Sequence, residues 1–255
     1  MTFLLDCSSG ESALMSVSIG FGCTKEQLTN ALLSIDLDKI YERDGSEISI
    51  PCEKYLYEHI KLFFGEHLPL DEVVWFHGTR TTKNNKFESG VFPLNEALGT
   101  VWDIIISEAP SETCRNNLVL MLENGIDNYL YQLRTEDHSH WGPYGILVRD
   151  VAFNTSDLSQ HDYLAMPELI EDIINAYRET FGTCLYAHYN QMLVPKLVKF
   201  KCNYRLDSGC IEAALGYLYS FVRGEPISGM AVTGIDKNGQ RIFPEQIMMV
   251  EQISP

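Results

Sequence analysis

Apolar residues recur every three or four positions in several stretches of the chain, a spacing that predicts amphipathic helices. Thr24 and Gln27 have the spacing of a capping box, and Pro167 and Gly182 bracket the clearest amphipathic stretch. The predicted helices are LTNALLSI (28–35), EKYLYEHIKLFFGEH (53–67), NEALGTVWDIIISEA (95–109), SETCRNNLVLMLENG (111–125), PELIEDIINAYRETFG (167–182) and SGCIEAALGYLYSFVRG (208–224).

Other stretches alternate with period two or form short apolar runs, which predicts strands. These are DEVVWFHGT (71–79), a run from about Tyr144 to Phe153, PKLVKFKCNYRL (195–206), and two strands around the turn at 237–239. Helices dominate the first part of the chain, and helices and strands mix after it. The sequence therefore predicts an α+β fold with a helical N-terminal extension over residues 1–69 and a second domain over residues 70–255.

The charge balance narrows the choice of partners. The chain carries 35 acidic and 19 basic residues, a net charge of −16. Such a chain repels a phosphate backbone, so a protein or a small molecule is a better partner than long nucleic acid. No apolar run reaches the roughly 18–20 residues that span a bilayer, and the N-terminus lacks a basic signal region, so we expect a cytoplasmic protein without a membrane partner.

The spacing of cysteines and histidines predicts neither a metal site nor a thiol nucleophile. The 7 cysteines form no CxxC pair, so neither a disulfide framework nor a zinc ribbon is expected. His138 and His140 are two residues apart without obvious further ligands nearby, so no metal site is predicted. Cys184 and His188 have the spacing of neighbours on a helix, but no third group is in view to orient them.

Three segments carry candidate chemistry. The first is FHGTR (76–80), in which an apolar strand leads into His77, Gly78 and Thr79 rather than into turn residues. Hydrogen-bonding side chains beside a glycine are typical of a strand that holds a ligand, because glycine allows close approach to the backbone. The second segment is WGPYG (141–145), just before a predicted strand. The third is PEQIMMVEQI (244–253) near the C-terminus.

The order of these segments resembles the ADP-ribosyltransferases of the His-Tyr-Glu type, which include the poly(ADP-ribose) polymerases and the diphtheria-like toxins. FHGTR followed by a helix containing GVFPL (90–94) is similar to the first motif of that family, and PEQIMMVEQI is similar to its third. The resemblance covers residues 70–253 and leaves residues 1–69 outside. It implies a core built on a split antiparallel β-sheet.

The resemblance also implies a role for each matched residue, with NAD as the substrate. His77 would hydrogen-bond a ribose hydroxyl, and Gly78 would offer its backbone to the nicotinamide amide. Thr79 and Arg80 would line the ribose or phosphate side, where a guanidinium can bind a pyrophosphate through two bonds. Tyr144 would stack on the nicotinamide ring.

The catalytic residues implied by the resemblance are His77, Tyr144 and Glu245. Glu245 would hold the 2′-hydroxyl of the nicotinamide ribose and stabilise the positive charge that develops as nicotinamide leaves. Glu251 is an alternative carboxylate, on the same strand face as Glu245 if no bulge intervenes. The middle motif departs most from the family pattern, and four other tyrosines could fill it: Tyr131, Tyr163, Tyr186 and Tyr189.

The resemblance implies an NAD-dependent ADP-ribosyltransferase or NAD glycohydrolase, of the kind found among toxins, defence effectors and housekeeping modifiers. One alternative is a binding module that keeps the fold and has lost the chemistry. Another is an enzyme like the NAD-dependent RNA 2′-phosphotransferases. That third class needs several basic residues to hold the RNA phosphate, and this chain offers few.

Overall fold

Helices and strands both build the fold, so the predicted α+β class is confirmed. The computed structural model describes residues 3–44, 49–203 and 209–254. Helices in these ranges are α1 (Gly10–Phe21), α2 (Lys25–Ser34), α3 (Leu37–Asp44), α4 (Cys52–Phe64), α5 (Leu94–Ser107), α6 (Glu112–Asn124), α7 (Tyr129–Glu136), α8 (Glu168–Phe181), α9 (Tyr186–Met192) and α10 (Cys210–Arg223). Strands are β1 (Phe3–Leu5), β2 (Leu70–Thr81), β3 (Tyr144–Ile146), β4 (Val194–Asn203), β5 (Gly234–Asp236) and β6 (Ile247–Gln252).

The strands are ordered β5-β3-β2-β4-β6, and β1 pairs with β2. β3 runs antiparallel to β2, with Phe76 opposite Ile146. β6 runs antiparallel to β4, and their register shifts between Lys199 and Phe200. β1 lies parallel to β2, with Leu5 opposite Val73. The N-terminal segment predicted as helical therefore also contributes a strand, and the assignment of this sheet to the split ADP-ribosyltransferase core stays a prediction.

The chain divides into two units, each assembled from separated stretches. The first unit comprises Met1–Phe76, Ile146–Gln160 and Lys201–Ile235. The second comprises His77–Gly145, His161–Phe200 and Asp236–Pro255. Residues 1–69 thus share a unit with later parts of the chain. The division at residue 69 that the sequence suggests stays a prediction.

Helix α10 is the centre of the first unit. It packs against α4, α1 and α2, and its residues from Cys210 to Ser220 are almost all buried. Arg223 closes its last turn by donating to the carbonyl of Leu32 at 2.9 Å, with the guanidinium stacked over the ring of Tyr219 at 3.6 Å. The Tyr219 hydroxyl accepts from the backbone N–H of Leu37 at 3.1 Å. These bonds tie α10 to the end of α2 and the start of α3.

The second unit has its own apolar core beneath helices α5 to α9. Trp102 and Ile105 of α5 meet Ile173 and Tyr189 in one buried cluster. The hydroxyl of Tyr189 donates to the carbonyl of Ile105 at 2.6 Å, which satisfies a polar group inside that core. The amphipathic pattern of residues 167–182 is confirmed as α8, with Pro167 at its N-cap and Gly182 at its C-cap in the left-handed conformation.

Two predicted elements are wrong. The run from Tyr144 to Phe153 is a strand only to Ile146, and Arg149–Phe153 is a 3₁₀ turn. Leu147, Val148, Val151 and Ala152 are buried there, a spacing that suits a helical turn rather than period-two alternation. The segment between FHGTR and Leu94 is a loop and not a helix, since Phe87 and Gly90 both have positive φ.

One further predicted strand begins later in the chain than expected. β5 ends at the predicted turn, but β6 begins only at Ile247, after a 3₁₀ turn over Pro244–Gln246. The end of the strand predicted over 195–206 lies outside the described residues beyond 203. Among the helices that the structure describes, none is long and apolar enough to cross a membrane.

Candidate active site

Strand β2 carries the FHGTR motif out of a buried environment. Val73 to Phe76 are buried, whereas His77 to Arg80 are partly exposed. Gly78 is not needed for an unusual φ, since it is not among the glycines with positive φ. A Cβ at that position would lie 3.3 Å from Cβ of Tyr163. Glycine therefore leaves room between the strand and the segment that carries Tyr163.

A cavity of about 1080 Å³ opens beside this strand, at the upper end of the range for small-molecule sites. All of its lining residues belong to the second unit. One wall is the apolar face of α5, where Leu94, Ala97, Val101 and Ile104 follow helical spacing. Polar and aromatic side chains also line the cavity, and they come from three segments: 77–81, 140–144 and 163–168. The cavity thus suits a ligand with both an apolar and a polar part.

His77 is positioned by the backbone of the WGPYG segment. Its Nδ1 lies 2.8 Å from the carbonyl oxygen of Tyr144. Because a carbonyl oxygen can only accept, Nδ1 carries the proton and donates. Burial lowers the pKa of His77, and the bond to Tyr144 only partly opposes this effect. At neutral pH the ring is therefore uncharged, and its Nε2 is an acceptor.

The lowered pKa of His77 predicts an acid-sensitive contribution to stability. The unfolded chain takes up a proton at this residue near pH 6.5, while the folded protein takes it up only at lower pH. The contribution of His77 to the free energy of unfolding is therefore fully present above about pH 6.5. It is lost as the pH falls through the pKa of His77 in the folded protein. An NMR titration of the imidazole signals, assigned with the variant His77→Gln, should give a midpoint below 6.5. A midpoint above 6.5 would contradict the lowered pKa of His77 in the folded protein.

The WGPYG segment is fixed by backbone bonds on both sides. The carbonyl of Trp141 accepts from Leu94 N–H at 2.8 Å, and that of Gly142 from Gly239 N–H at 2.7 Å. The hydroxyl of Tyr144 donates to the carbonyl of Ser139 at 2.9 Å. Burial, followed by nearby carboxylates, raises the pKa of Tyr144 to about 12. Tyr144 is thus a neutral phenol at the cavity wall, held from both its backbone and its hydroxyl.

Arg80 also lines the cavity, but its guanidinium is occupied. Nε and Nη2 donate to the carbonyl of Leu193, at 3.2 and 2.8 Å respectively. Nη1 donates to the carbonyl of Leu164 at 2.8 Å, and Nη2 also donates to the carbonyl of Asn190. These bonds use four of the five N–H groups of an arginine. A two-bond contact with a pyrophosphate would require breaking some of them, so the geometry favours a structural role.

A cluster of side chains joined by ion pairs and a hydrogen bond lies on the cavity wall, and the sequence analysis does not predict it. Arg134 of α7 donates from Nη2 to Oε1 of Glu168 at 2.8 Å and from Nη1 to Oδ2 of Asp172 at 2.7 Å. The hydroxyl of Tyr163 donates to Oε2 of Glu168, also at 2.8 Å. Arg134, Tyr163 and Glu168 line the cavity. One signal was present in the sequence, because Asp172 interrupts the apolar face predicted for residues 167–182. In the structure Asp172 is buried.

The cluster keeps Glu168 ionised. Burial raises the pKa of Glu168, but the bonds from Arg134 and Tyr163 outweigh this effect, so its pKa lies below the usual value. Burial raises the pKa of its neighbour Asp172 despite the contact with Arg134. Glu168 is therefore a carboxylate at neutral pH, placed at the first turn of α8 where the helix dipole also favours negative charge.

The structure brings most of the sequence-predicted residues together. His77, Gly78, Thr79, Arg80 and Tyr144 all line the cavity. The lining does not include the two predicted carboxylates, Glu245 and Glu251. Glu245 is exposed in the 3₁₀ turn before β6, and Glu251 lies in β6 opposite Leu197. The two carboxylates do not share a strand face as expected, because Glu245 precedes the strand.

The four other tyrosines that could fill the middle motif differ in their position relative to the cavity. Tyr163 lines the cavity beside Tyr144. The hydroxyl of Tyr131 accepts from Nε1 of Trp102 at 3.1 Å, and Tyr189 is fully buried. Tyr186 is exposed at the start of α9 and is not part of the lining. Tyr144 and Tyr163 are thus the tyrosines that can meet a ligand in this cavity.

The loop from Asn84 to Val91 forms another part of the lining and is anchored twice. Lys196 Nζ donates to the carbonyl of Lys83 at 3.0 Å and to that of Asn85. Val91 and Ile242 exchange two backbone bonds of 2.9 Å each. This part of the cavity wall is therefore held by β4 and by the segment before β6.

Comparisons of this chain with protein-family models, with curated proteins and with solved structures find no match. The resemblance to the ADP-ribosyltransferases therefore rests on the motif residues of this sequence alone.

Proposed function

We propose that this protein binds NAD in the cavity of its second unit and transfers ADP-ribose to an acceptor, with release of nicotinamide. The observation that carries the proposal is the pairing of His77 with Tyr144. Residues 67 positions apart in the sequence, matched to two motifs of one family, are joined by a 2.8 Å bond at the wall of a large cavity. The motif order alone does not require that contact.

The geometry suits the binding roles that the resemblance implies. A neutral His77 with its proton on Nδ1 leaves Nε2 to accept from a ribose hydroxyl. Tyr144 offers a neutral ring at the same wall, where a flat aromatic ligand can stack. The apolar face of α5 lines the same cavity and suits the non-polar faces of the ligand. Arg80 holds the wall in place rather than binding phosphate.

The acceptor proposed is a protein side chain or a small molecule. If water is the acceptor instead, the protein is an NAD glycohydrolase. The net charge of −16 disfavours long nucleic acid at the surface. A cytoplasmic location, where NAD is abundant as a substrate, is part of the same proposal.

A second candidate is a binding module that holds a nucleotide without cleaving it. The exposed position of Glu245, outside the cavity lining, favours this reading if that residue is the only carboxylate suited to the chemistry. Binding without turnover would support this candidate over the first.

Binding is tested by calorimetric titration of the protein with NAD. We expect a single site per chain, with affinity reduced up to about tenfold in His77→Ala, because the hydrogen bond that Nε2 accepts contributes about 0.5–1.5 kcal/mol. His138 is 86% exposed and does not line the cavity, so His138→Ala is the matched control. Equal weakening by both variants would contradict the placement of NAD beside His77.

A further inference from the structure

Glu168 is the anchored carboxylate of the cavity. Among the lining residues that the structure describes, the other carboxylate is Glu88, which is exposed in the loop before Val91. Glu168 is half-buried at the start of a fourteen-residue helix, and each of its two oxygens accepts a bond of 2.8 Å. A carboxylate fixed in this way costs little reorganisation when charge develops beside it.

The anchoring leaves Glu168 able to bind more. Each carboxylate oxygen has two lone pairs, and one is used on each oxygen, so two acceptor positions remain. Its side chain is 33% exposed, whereas that of Arg134 is 17% exposed and that of Asp172 is 6% exposed. Arg134 is shared between the two carboxylates. With both carboxylates ionised, the group of three therefore carries one net negative charge, and Glu168 is its most accessible member.

Glu168 also lies near the proposed ligand contacts. Its charge is among those that raise the pKa of Tyr144, and Tyr163, its hydrogen-bond donor, lies against the place where a Cβ of Gly78 would stand. The carboxylate is thus at the same end of the cavity as the FHGTR and WGPYG segments. Glu245, in its exposed turn, is not part of this lining.

We infer that Glu168, and not Glu245, is the catalytic carboxylate of the proposed reaction. This inference rests on the proposed function. The bond between C1′ of the ribose and the nicotinamide nitrogen breaks, and its electron pair goes to that nitrogen, which becomes neutral. The positive charge passes to the ribose, where Glu168 stabilises it. The acceptor oxygen or nitrogen then bonds to C1′ and loses its proton to solvent.

The test compares nicotinamide release and NAD affinity in matched variants. Glu168→Gln keeps the size of the side chain and removes the charge. We expect release to fall about 100-fold or more, with the dissociation constant of NAD changed by less than about fivefold. Glu171→Gln, one turn further on α8 and outside the cavity lining, makes the same charge change and should match the wild type.

A second variant covers the case in which Glu168→Gln does not fold. Tyr163→Phe removes only the hydroxyl that donates to Glu168 and should lower release about tenfold with binding retained. Full release in Glu168→Gln, or full release in Tyr163→Phe where Glu168→Gln does not fold, would overturn the inference while the proposed function stands. A loss seen with Glu245→Gln but not with Glu168→Gln would overturn it in the same way. A wild type that does not bind NAD would overturn the proposed function itself, and the inference with it.

Discussion

Replacing Arg80 with methionine is expected to lower the free energy of unfolding by about 4 kcal/mol, because hydrogen bonds from a charged group contribute about 1.5–3 kcal/mol each and their loss leaves carbonyls unpaired. The guanidinium joins β2 to the carbonyls of Leu164, Asn190 and Leu193. Two of these carbonyls belong to the last turn and C-cap of α9, where orphan carbonyls need partners. Chemical denaturation of Arg80→Met measures the effect.

The matched control is Arg178→Met. Arg178 is exposed on α8, and such surface changes stay within about 0.5 kcal/mol. Arg80→Lys keeps the charge, but an ammonium cannot span three carbonyls as a guanidinium does, so it should also destabilise. If Arg80→Met folded as stably as the wild type and lost only NAD affinity, Arg80 would be a phosphate ligand and would not have the structural role.

Two alanine substitutions at glycines should shift stability in opposite directions. Gly90 has φ of 90°, and a Cβ there would lie 2.2 Å from the carbonyl oxygen of Ile242. Positive φ and a backbone clash together should cost about 3 kcal/mol or more. Gly99 lies within α5, and a Cβ there meets nothing within 4 Å. Gly99→Ala should therefore add about 0.5–1 kcal/mol.

Thermal and chemical unfolding of the two variants would measure this contrast. Gly90→Ala should also weaken ligand binding, because the bridge between Val91 and Ile242 holds one wall of the cavity. A neutral effect of Gly90→Ala would mean that the loop from Asn84 to Val91 does not adopt this conformation. A destabilising Gly99→Ala would mean that the exposed face of α5 is in contact with something the structure does not place there.

Elements whose ends are set by local chemistry were predictable from the sequence. The capping box of Thr24 and Gln27 begins α2 as expected, and Gly182 ends α8. The FHGTR motif also marks the strand that reaches the cavity. In each case a few neighbouring residues determine the backbone conformation.

What the sequence could not show depends on contacts between distant residues. Arg134 and Glu168 are 34 positions apart and meet only because α7 packs beside α8. Strand β1 is three residues long and exists through its pairing with β2. Both α7 and α9 are short and were missed, since eight or fewer residues carry little periodicity. The motif resemblance therefore points to Glu245, whereas Glu168 lines the cavity.

Cleavage of NAD is best tested by following the release of nicotinamide from NAD by the pure wild-type protein. Chromatography measures the release in the presence and absence of cell extract as a source of acceptor. We expect the wild type to release more than one equivalent of nicotinamide per chain and His77→Ala to release far less. NAD left intact under both conditions, by a protein that also shows no calorimetric binding of NAD, would contradict the proposed function.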